Sequence, residues 1–298
     1  MCMKNELSVV IPSFNGRGLL AEYLPATFEV CRNSGLVDAF EVVVADDAST
    51  DGTVGFLRER FPEVVVVEGT ENGGFSKNTN RGIRAAKYDW ILLLNNDMEL
   101  LEGTVDGLME LRGAEVFGVS CAICSPQDGG VQEGRKLPVV SGHKISYRDD
   151  TEVGEVCDTM YLCGGVALIN RVKVAELGGF DEVYSPFYFE DMDLSLRAWQ
   201  RGWRCLYTPN ARCLHQHSVT INNNFDREYV KSIFVRNRTL LAYRFVPCAP
   251  RLLLNLMFHV AIERLRKDRY CPYGDALRMI RDGKMKRMPM NRRLLKRF

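Results

Sequence analysis

Apolar residues in the first third of the chain fall into short, nearly continuous runs separated by stretches of helical spacing. "LSVVIP" (7–12) predicts a strand stopped at Pro12, "FEVVVADD" (40–47) a second, "EVVVVEG" (63–69) a third and "WILLLNND" (90–97) a fourth. Between them, "GLLAEYLPATFEVCRNS" (18–34), "GTVGFLRERF" (52–61) and "KNTNRGIRAAKY" (77–88) predict helices. Runs of Val, Ile and Leu without polar alternation fit strands buried on both faces. Strand–helix alternation fits a parallel α/β sheet, in which ligands bind beyond the carboxyl ends of the strands.

Each strand leads into a polar segment. The first runs into "PSFN", the second into "DDASTDGT", the third into "GTENGGFSKNTN" and the fourth into "NND". All four segments are expected at one edge of the sheet. Turns and helix caps need polar residues there, but not so many carboxylates and amides. Residues 115–160 read as Gly-rich mixed strands. "YFEDMDLSLRAWQRGW" (188–203) predicts a helix opening on Glu190 and Asp191, "RCLYTPNARCLHQHS" (204–218) a strand, turn and strand, and residues beyond 225 further helices.

Composition adds a bound and one asymmetry. With 298 residues, 46% hydrophobic and 26% charged, the chain is globular. The net charge is only +1, yet residues 264–298 hold 13 Lys/Arg against 3 Asp/Glu, a net +10 that leaves −9 for the rest. The ten cysteines are scattered, and reduced thiols are expected. Cys121-x-x-Cys124 lies in a strand pattern with no second C-x-x-C, whereas structural zinc wants four ligands. "LSVVI" is too short for an export segment, and no apolar run reaches the length of a membrane span. The expected location is the cytoplasm, with peripheral contact at the inner face of the cell membrane left open.

Each polar cluster has two readings. Asp46 and Asp47 either cap the next helix or accept hydrogen bonds from a nucleotide base or ribose. Asp97 is either a loop residue or an acidic ligand for Mg²⁺ or Mn²⁺, ions that take one or two protein carboxylates plus substrate phosphate oxygens. Glu190, Asp191 and Asp193 suit a helix N-terminus, and a general base fits there as well. His215 and His217 share one strand face and are structural or ligating. "NGGFSKNTNRGI" is neither a P-loop nor G-x-G-x-x-G.

The ordered set "VVIPSFNG", "VVVADDASTDGT", "NGGFSKNTNRGI", "LLLNND", "CGGVALINRVKVAELGGFDE", "FYFEDMDLSLRAWQRGWR", "HQHS" and "RNRTLL" resembles family 2 glycosyltransferases with the GT-A fold, in particular the rhamnosyltransferase-like branch. The resemblance covers residues 7 to about 240. It implies an α/β GT-A domain, a mostly parallel central sheet flanked by helices, over residues 1–244; residues 245–298 lie outside the resemblance and read from their own composition as a basic helical extension. It implies inverting transfer of a sugar from a UDP- or dTDP-linked donor to a hydroxyl of a glycan or lipid-linked acceptor, in cell-surface polysaccharide synthesis. Pro12, Asn15, Asp46, Asp47, Asn72 and Lys77 would meet the nucleotide, and Asn96, Gly164 and Gly165 would line the donor and acceptor pocket. Asp97 matches the last aspartate of the family's metal motif, with Asn95 at its first acidic position. His215 would complete the Mg²⁺ or Mn²⁺ site, with His217 as alternate. Asp191, beside Glu190, matches the catalytic base. The alternative is a GT-A module that binds sugar nucleotide or glycan without turnover. Asn95 keeps that alternative open, whereas Asp97 and Asp191 favour the enzyme. The tail combines apolar helix with Lys/Arg and is expected to meet an anionic membrane surface. It lacks the aromatic interleaving of a nucleic-acid binder, so no nucleic acid is expected as partner.

Overall fold

The computed structural model describes residues 5–141, 144–215, 225–247 and 249–291. The four expected strands form as β1 (Glu6–Ser13), β2 (Ala39–Asp46), β3 (Val65–Glu68) and β4 (Trp90–Leu94). The helices between them are α1 (Arg17–Arg32), α2 (Thr53–Arg60) and α3 (Phe75–Ala85). The strands are parallel and lie in the order β3–β2–β1–β4. Side chains alternate across the sheet. Leu7, Val9, Ile11, Leu92 and Leu94 face a core with Leu20, Leu24 and Phe28 of α1 and Leu57 of α2. Val10, Ile91 and Leu93 face the opposite core with Ile83 of α3. The third strand departs from the two-sided burial expected of it. Among the described residues it has a neighbour on one side only, and Val65 is exposed.

Beyond β4 come β5 (Met98–Leu100), α4 (Thr104–Met109), β6 (Val116–Cys124), β7 (Val131–Glu133), β8 (Arg135–Ser141), β9 (Lys144–Asp150), β10 (Cys157–Asp158) and β11 (Val166–Asn170). They are followed by α5 (Arg171–Glu176), α6 (Glu190–Gln200) and β12 (Arg204–His215). The sheet continues from β4 as β11–β6–β12–β10, while among the described residues β8 and β9 pair only with each other. Strand β11 runs antiparallel to both β4 and β6, and β6 is parallel to β12. The reversal matters: the first residue of β11, Val166, sits opposite the last residue of β4, Leu94. The Gly164–Gly165 pair is thereby delivered to the polar edge. The expected strand, turn and strand over 204–218 is instead one strand up to His215, with a register shift between Thr208 and Arg212. Pro209 lies within the shift and has no N–H to donate to a ladder.

Among the described residues the chain closes with α7 (Arg227–Phe245), α8 (Ala249–Arg266) and α9 (Pro272–Arg281). Leu240, Leu241 and Phe245 of α7, Leu252 of α8 and Ala276 of α9 share a buried core with Met192 and Leu196 of α6. The C-terminal helices therefore pack directly on the helix that opens with Glu190 and Asp191. Among the described residues no helix is long and apolar enough to cross a membrane.

Candidate active site

The carboxyl ends of β1, β2 and β4 meet as the sequence pattern predicts, and loop-to-loop hydrogen bonds fix them. The Asn15 side-chain oxygen accepts from the Thr50 N–H at 2.8 Å, and the Asn15 N–H donates to Ser49 Oγ at 2.8 Å. Asn15 thus ties the β1 loop to the β2 loop. Asp46 Oδ2 accepts from the Ser49 N–H at 2.9 Å, while its other oxygen is buried with no partner among the described residues. Asp47 is buried and turned toward the glycine loop. It accepts from the N–H groups of Gly73 (3.1 Å) and Gly74 (2.8 Å) and pairs with Arg81 at 3.0 Å. Gly74 has φ +81°, and a Cβ there would stand 2.8 Å from Pro186 Cα, so a side chain would push the two loops apart. Lys77 lies in the first turn of α3 with its ammonium on Glu71 at 2.7 Å.

At the end of β4, the Asn95 N–H donates to the Gly165 carbonyl at 2.7 Å. Asn96 Nδ2 donates to Ser13 Oγ at 3.0 Å, which joins the β4 and β1 ends. Asp97 is buried. One carboxylate oxygen lies 3.5 Å from His215 Nε2, and the other has no partner among the described residues. His215 is brought there because β12 pairs with β5, which sets His215 opposite Met98. Burial alone would lower the His215 pKa. The hydrogen bond and charge of Asp97 outweigh it and hold the value above the ordinary one. Among the described residues, no three His, Cys, Asp or Glu side chains converge into a complete metal cage. His217 lies outside the described residues.

Across from β4, Gly164 and Gly165 bridge two functional segments. Gly165 accepts from Asn95, and the Gly164 N–H donates to Asp191 Oδ2 at 3.0 Å. Asp191 Oδ1 accepts from the Met192 N–H at 2.7 Å. Burial raises the Asp191 pKa, and the two N–H donors and the Lys136 charge pull against it. The balance leaves the group above its ordinary value. Such a carboxylate takes a proton more readily than one in water. Glu190 is buried, and burial together with the Asp191 charge raises its pKa to about 8.

A cleft of about 370 Å³ opens over these strand ends. Of the sequence candidates, Pro12, Asp47, Asn72, Asn96, Asp97 and His215 line it. Asn15, Asp46, Lys77, Gly164, Gly165, Glu190 and Asp191 do not. Asn15 and Asp46 brace its loops, and Gly164, Gly165 and Asp191 lie behind Asn95. The opposite wall is aromatic, with Phe75, Phe187, Tyr188 and Phe225.

Residues 8–178, more than half of the chain, match the family model described as glycosyl transferase family 2. The chain belongs to glycosyl transferase family 2. It is 27% identical over 202 residues to an N-acetylglucosaminyl-diphospho-decaprenol L-rhamnosyltransferase of Mycobacterium tuberculosis, covering 58% of this chain and 66% of that one. It is 23% identical to the O-antigen chain rhamnosyltransferase WbaN of Salmonella anatum, covering 65% of this chain and 62% of that one. The chain thus spans slightly less than two thirds of each relative. Among solved structures, the mannosyltransferase PcManGT of Pyrobaculum calidifontis, in complex with GDP-Man and Mn²⁺, shares the fold. The match has a TM-score of 0.58 and 21% identity, and covers 81% of this chain and 64% of that one. The architecture is the GT-A fold of this family, and the sequence similarity is to its rhamnosyltransferase-like branch.

Three features of this family 2 protein escape sequence reasoning. Glu133 lines the cleft and pairs with the buried Lys136 at 2.6 Å; it comes from the irregular stretch "GGVQEGRK", which carries no periodic signal. Asn237 is fully buried and its side-chain amide donates to the carbonyls of Tyr184, Phe187 and Tyr188. It holds the loop in which Tyr188 and Phe189 adopt positive φ just before α6. Such conformations in non-glycine residues persist only where the surroundings impose them. Asp193 is fully buried. Arg197 reaches one of its oxygens at 2.6 Å, and Arg244 of α7 reaches the other at 2.6 Å. Asn237 belongs to "RNRTLL", so a motif without evident chemistry serves to fix the helix that carries Asp191.

Proposed function

We propose that this glycosyltransferase moves a sugar from a UDP- or dTDP-linked donor to a hydroxyl of a glycan or lipid-linked acceptor, with inversion, in cell-surface polysaccharide synthesis. The observation that carries the reading is the two-residue bridge Gly164–Gly165. It couples the strand end bearing Asp97 to a half-buried carboxylate, Asp191, whose pKa is raised. A relative named for decaprenol-linked acceptor chemistry supports the choice of acceptor class.

In this reading, Pro12, Asp47 and Asn72 meet the nucleotide where they line the cleft, with Asn15 and Asp46 holding the loops that shape the pocket. Lys77 reaches the diphosphate by exchanging its Glu71 partner. Asn96 borders the sugar, and the glycine bridge behind Asn95 holds Asp191 in register with that strand end. Asp191 accepts the proton of the acceptor hydroxyl, whose oxygen attacks the anomeric carbon from the face opposite the leaving nucleoside diphosphate. The carbon–oxygen bond to the diphosphate breaks in the same displacement, and no covalent enzyme intermediate forms. A positioned base of this kind contributes about 10²–10⁴-fold. Glu190 stays protonated near neutral pH, which spares Asp191 a second charge beside it.

The orphaned oxygen of Asp97 and the His215 imidazole beside its partner oxygen fit a divalent ion, Mg²⁺ or Mn²⁺, whose remaining ligands are diphosphate oxygens. When bound, the ion supplies positive charge against the developing charge of the leaving group. With Asn95 in place of an acid, weak or nucleotide-dependent metal binding is expected.

Incubation with a panel of nucleotide sugars, Mn²⁺ or Mg²⁺ and glycan or lipid-linked acceptors tests the proposal. Donor transfer or hydrolysis that disappears in Asp191→Asn supports it. Nucleotide binding without turnover under every combination supports the non-catalytic alternative instead.

A further inference from the structure

Helix α8 buries one face and leaves the other uncovered. Leu252 packs in the C-terminal core and Leu256 is buried as well, whereas Leu254 (69%), Met257 (60%), Phe258 (62%) and Leu265 (84%) are largely exposed. Isolated exposed apolar residues are ordinary, but these share a face. At 3.6 residues per turn, positions 254, 257, 258, 261 and 265 fall within an arc of about 100°. Position 261 is an exposed alanine, so the stripe is unbroken along the helix.

Charge borders the stripe in a specific pattern. On the same helical projection, Arg251 lies at one edge of the arc and Arg264 at the other. Both are exposed, as are Arg266, Lys267 and Arg269 at the end of the helix. Glu263, the sole acid within α8, points away from this surface. It is buried and accepts from the N–H groups of Tyr273 and Gly274 at the start of α9, at 3.0 Å each. The outward face is therefore apolar at its centre and cationic at both borders, with no carboxylate of the helix between.

We propose that α8 lies along an anionic lipid bilayer surface, with Leu254, Met257, Phe258 and Leu265 inserted among the acyl chains and the flanking arginines on phosphate headgroups. A second protein surface would have to offer an apolar strip rimmed by acids, whereas an anionic bilayer presents that profile everywhere along it. The tail's membrane contact is thereby confined to one face of α8. It holds whether or not the sugar-transfer reading does, because binding is read without turnover.

The test is co-sedimentation of the full chain with vesicles of zwitterionic lipid, with and without anionic phospholipid. The wild type is expected to partition to anionic vesicles, less so at high salt. Leu254→Ser combined with Phe258→Ser should lower partitioning by about 10²- to 10⁴-fold, at about 10- to 100-fold for each large apolar side chain removed from an apolar phase. Arg251→Glu with Arg264→Glu should abolish the preference for anionic lipid. Thermal unfolding of each variant within a few degrees of wild type shows that the exposed substitutions leave the fold intact. Equal partitioning of wild type and both variants overturns the proposal. So does a wild-type dimer, seen by light scattering, that the Leu254/Phe258 variant disperses while neither protein binds vesicles.

Discussion

The backbone N–H of Gly164 donates to Oδ2 of Asp191 at 3.0 Å, and the carbonyl of the next residue accepts from Asn95 at 2.7 Å. One dipeptide therefore sets the distance between the β4 end and the first turn of α6. A Cβ added at Gly164 would stand 3.3 Å from Asp191 Cβ and 3.4 Å from Oδ2, tight enough to displace the carboxylate. Gly164→Ala is expected to lower kcat by roughly 10- to 100-fold, because small misplacements of a reacting group are costly. Nucleotide affinity, measured by calorimetry, should stay within about twofold of wild type, since Gly164 does not line the cleft.

Asp193 is a stability residue rather than a reacting one. It is fully buried between Arg197 and Arg244, and Arg244 also reaches Asp181 at 2.6 Å. Asp193→Ala leaves the buried Arg197 guanidinium on the carbonyls of Leu177 and Gly179 with its carboxylate gone, and should lower unfolding free energy by about 3–5 kcal/mol. Arg244→Ala leaves Asp193 paired with Arg197 and should cost less. The double variant should lose much less than the sum, as measured by denaturant titration.

Glu190 makes stability depend on pH with a definite sign. Its pKa rises from 4.5 to about 8 through burial and the Asp191 charge. Between those values the folded protein keeps a proton that the unfolded chain has released. Unfolding free energy therefore falls as pH rises through that window, by up to about 1.4 kcal/mol per pH unit for one group. Asp191 is raised in the same direction. Glu190→Gln should flatten the slope between about pH 5 and 8 without abolishing it, and an unchanged slope would show that Glu190 is not the group titrating.

The fold of the first hundred residues was legible because each strand is a saturated apolar run and each carboxyl end is marked by amides and acids. The same signal located Asp47, Asn96 and Asp97 at one edge. The half-exposed β3 was not legible, since nothing in "VVVE" says that the sheet ends there. Nor were Glu133, Asn237 and Arg244. Their roles depend on contacts 49 or more residues apart for Asn237 and Arg244, and on a non-periodic stretch for Glu133. Asp193 looked like one more acid at a helix start, because a sequence does not reveal that two arginines close over it.

Asp97 carries the expected metal dependence. Asp97→Asn should remove the Mn²⁺-dependent part of nucleoside diphosphate affinity and leave the metal-free part within about twofold, by titration with and without Mn²⁺. His215→Ala should produce a smaller loss. Equal Mn²⁺ enhancement in wild type and Asp97→Asn would exclude Asp97 as a ligand.

The central claim is a single displacement with Asp191 as base, and the anomeric configuration of the product tests it most directly. Proton NMR of the glycoside formed from a donor of known anomeric configuration should show inversion at the transferred sugar. Asp191→Asn should slow that transfer by about 10²-fold or more while still binding nucleotide. Retention of configuration, or a wild-type rate in Asp191→Asn, would contradict the account.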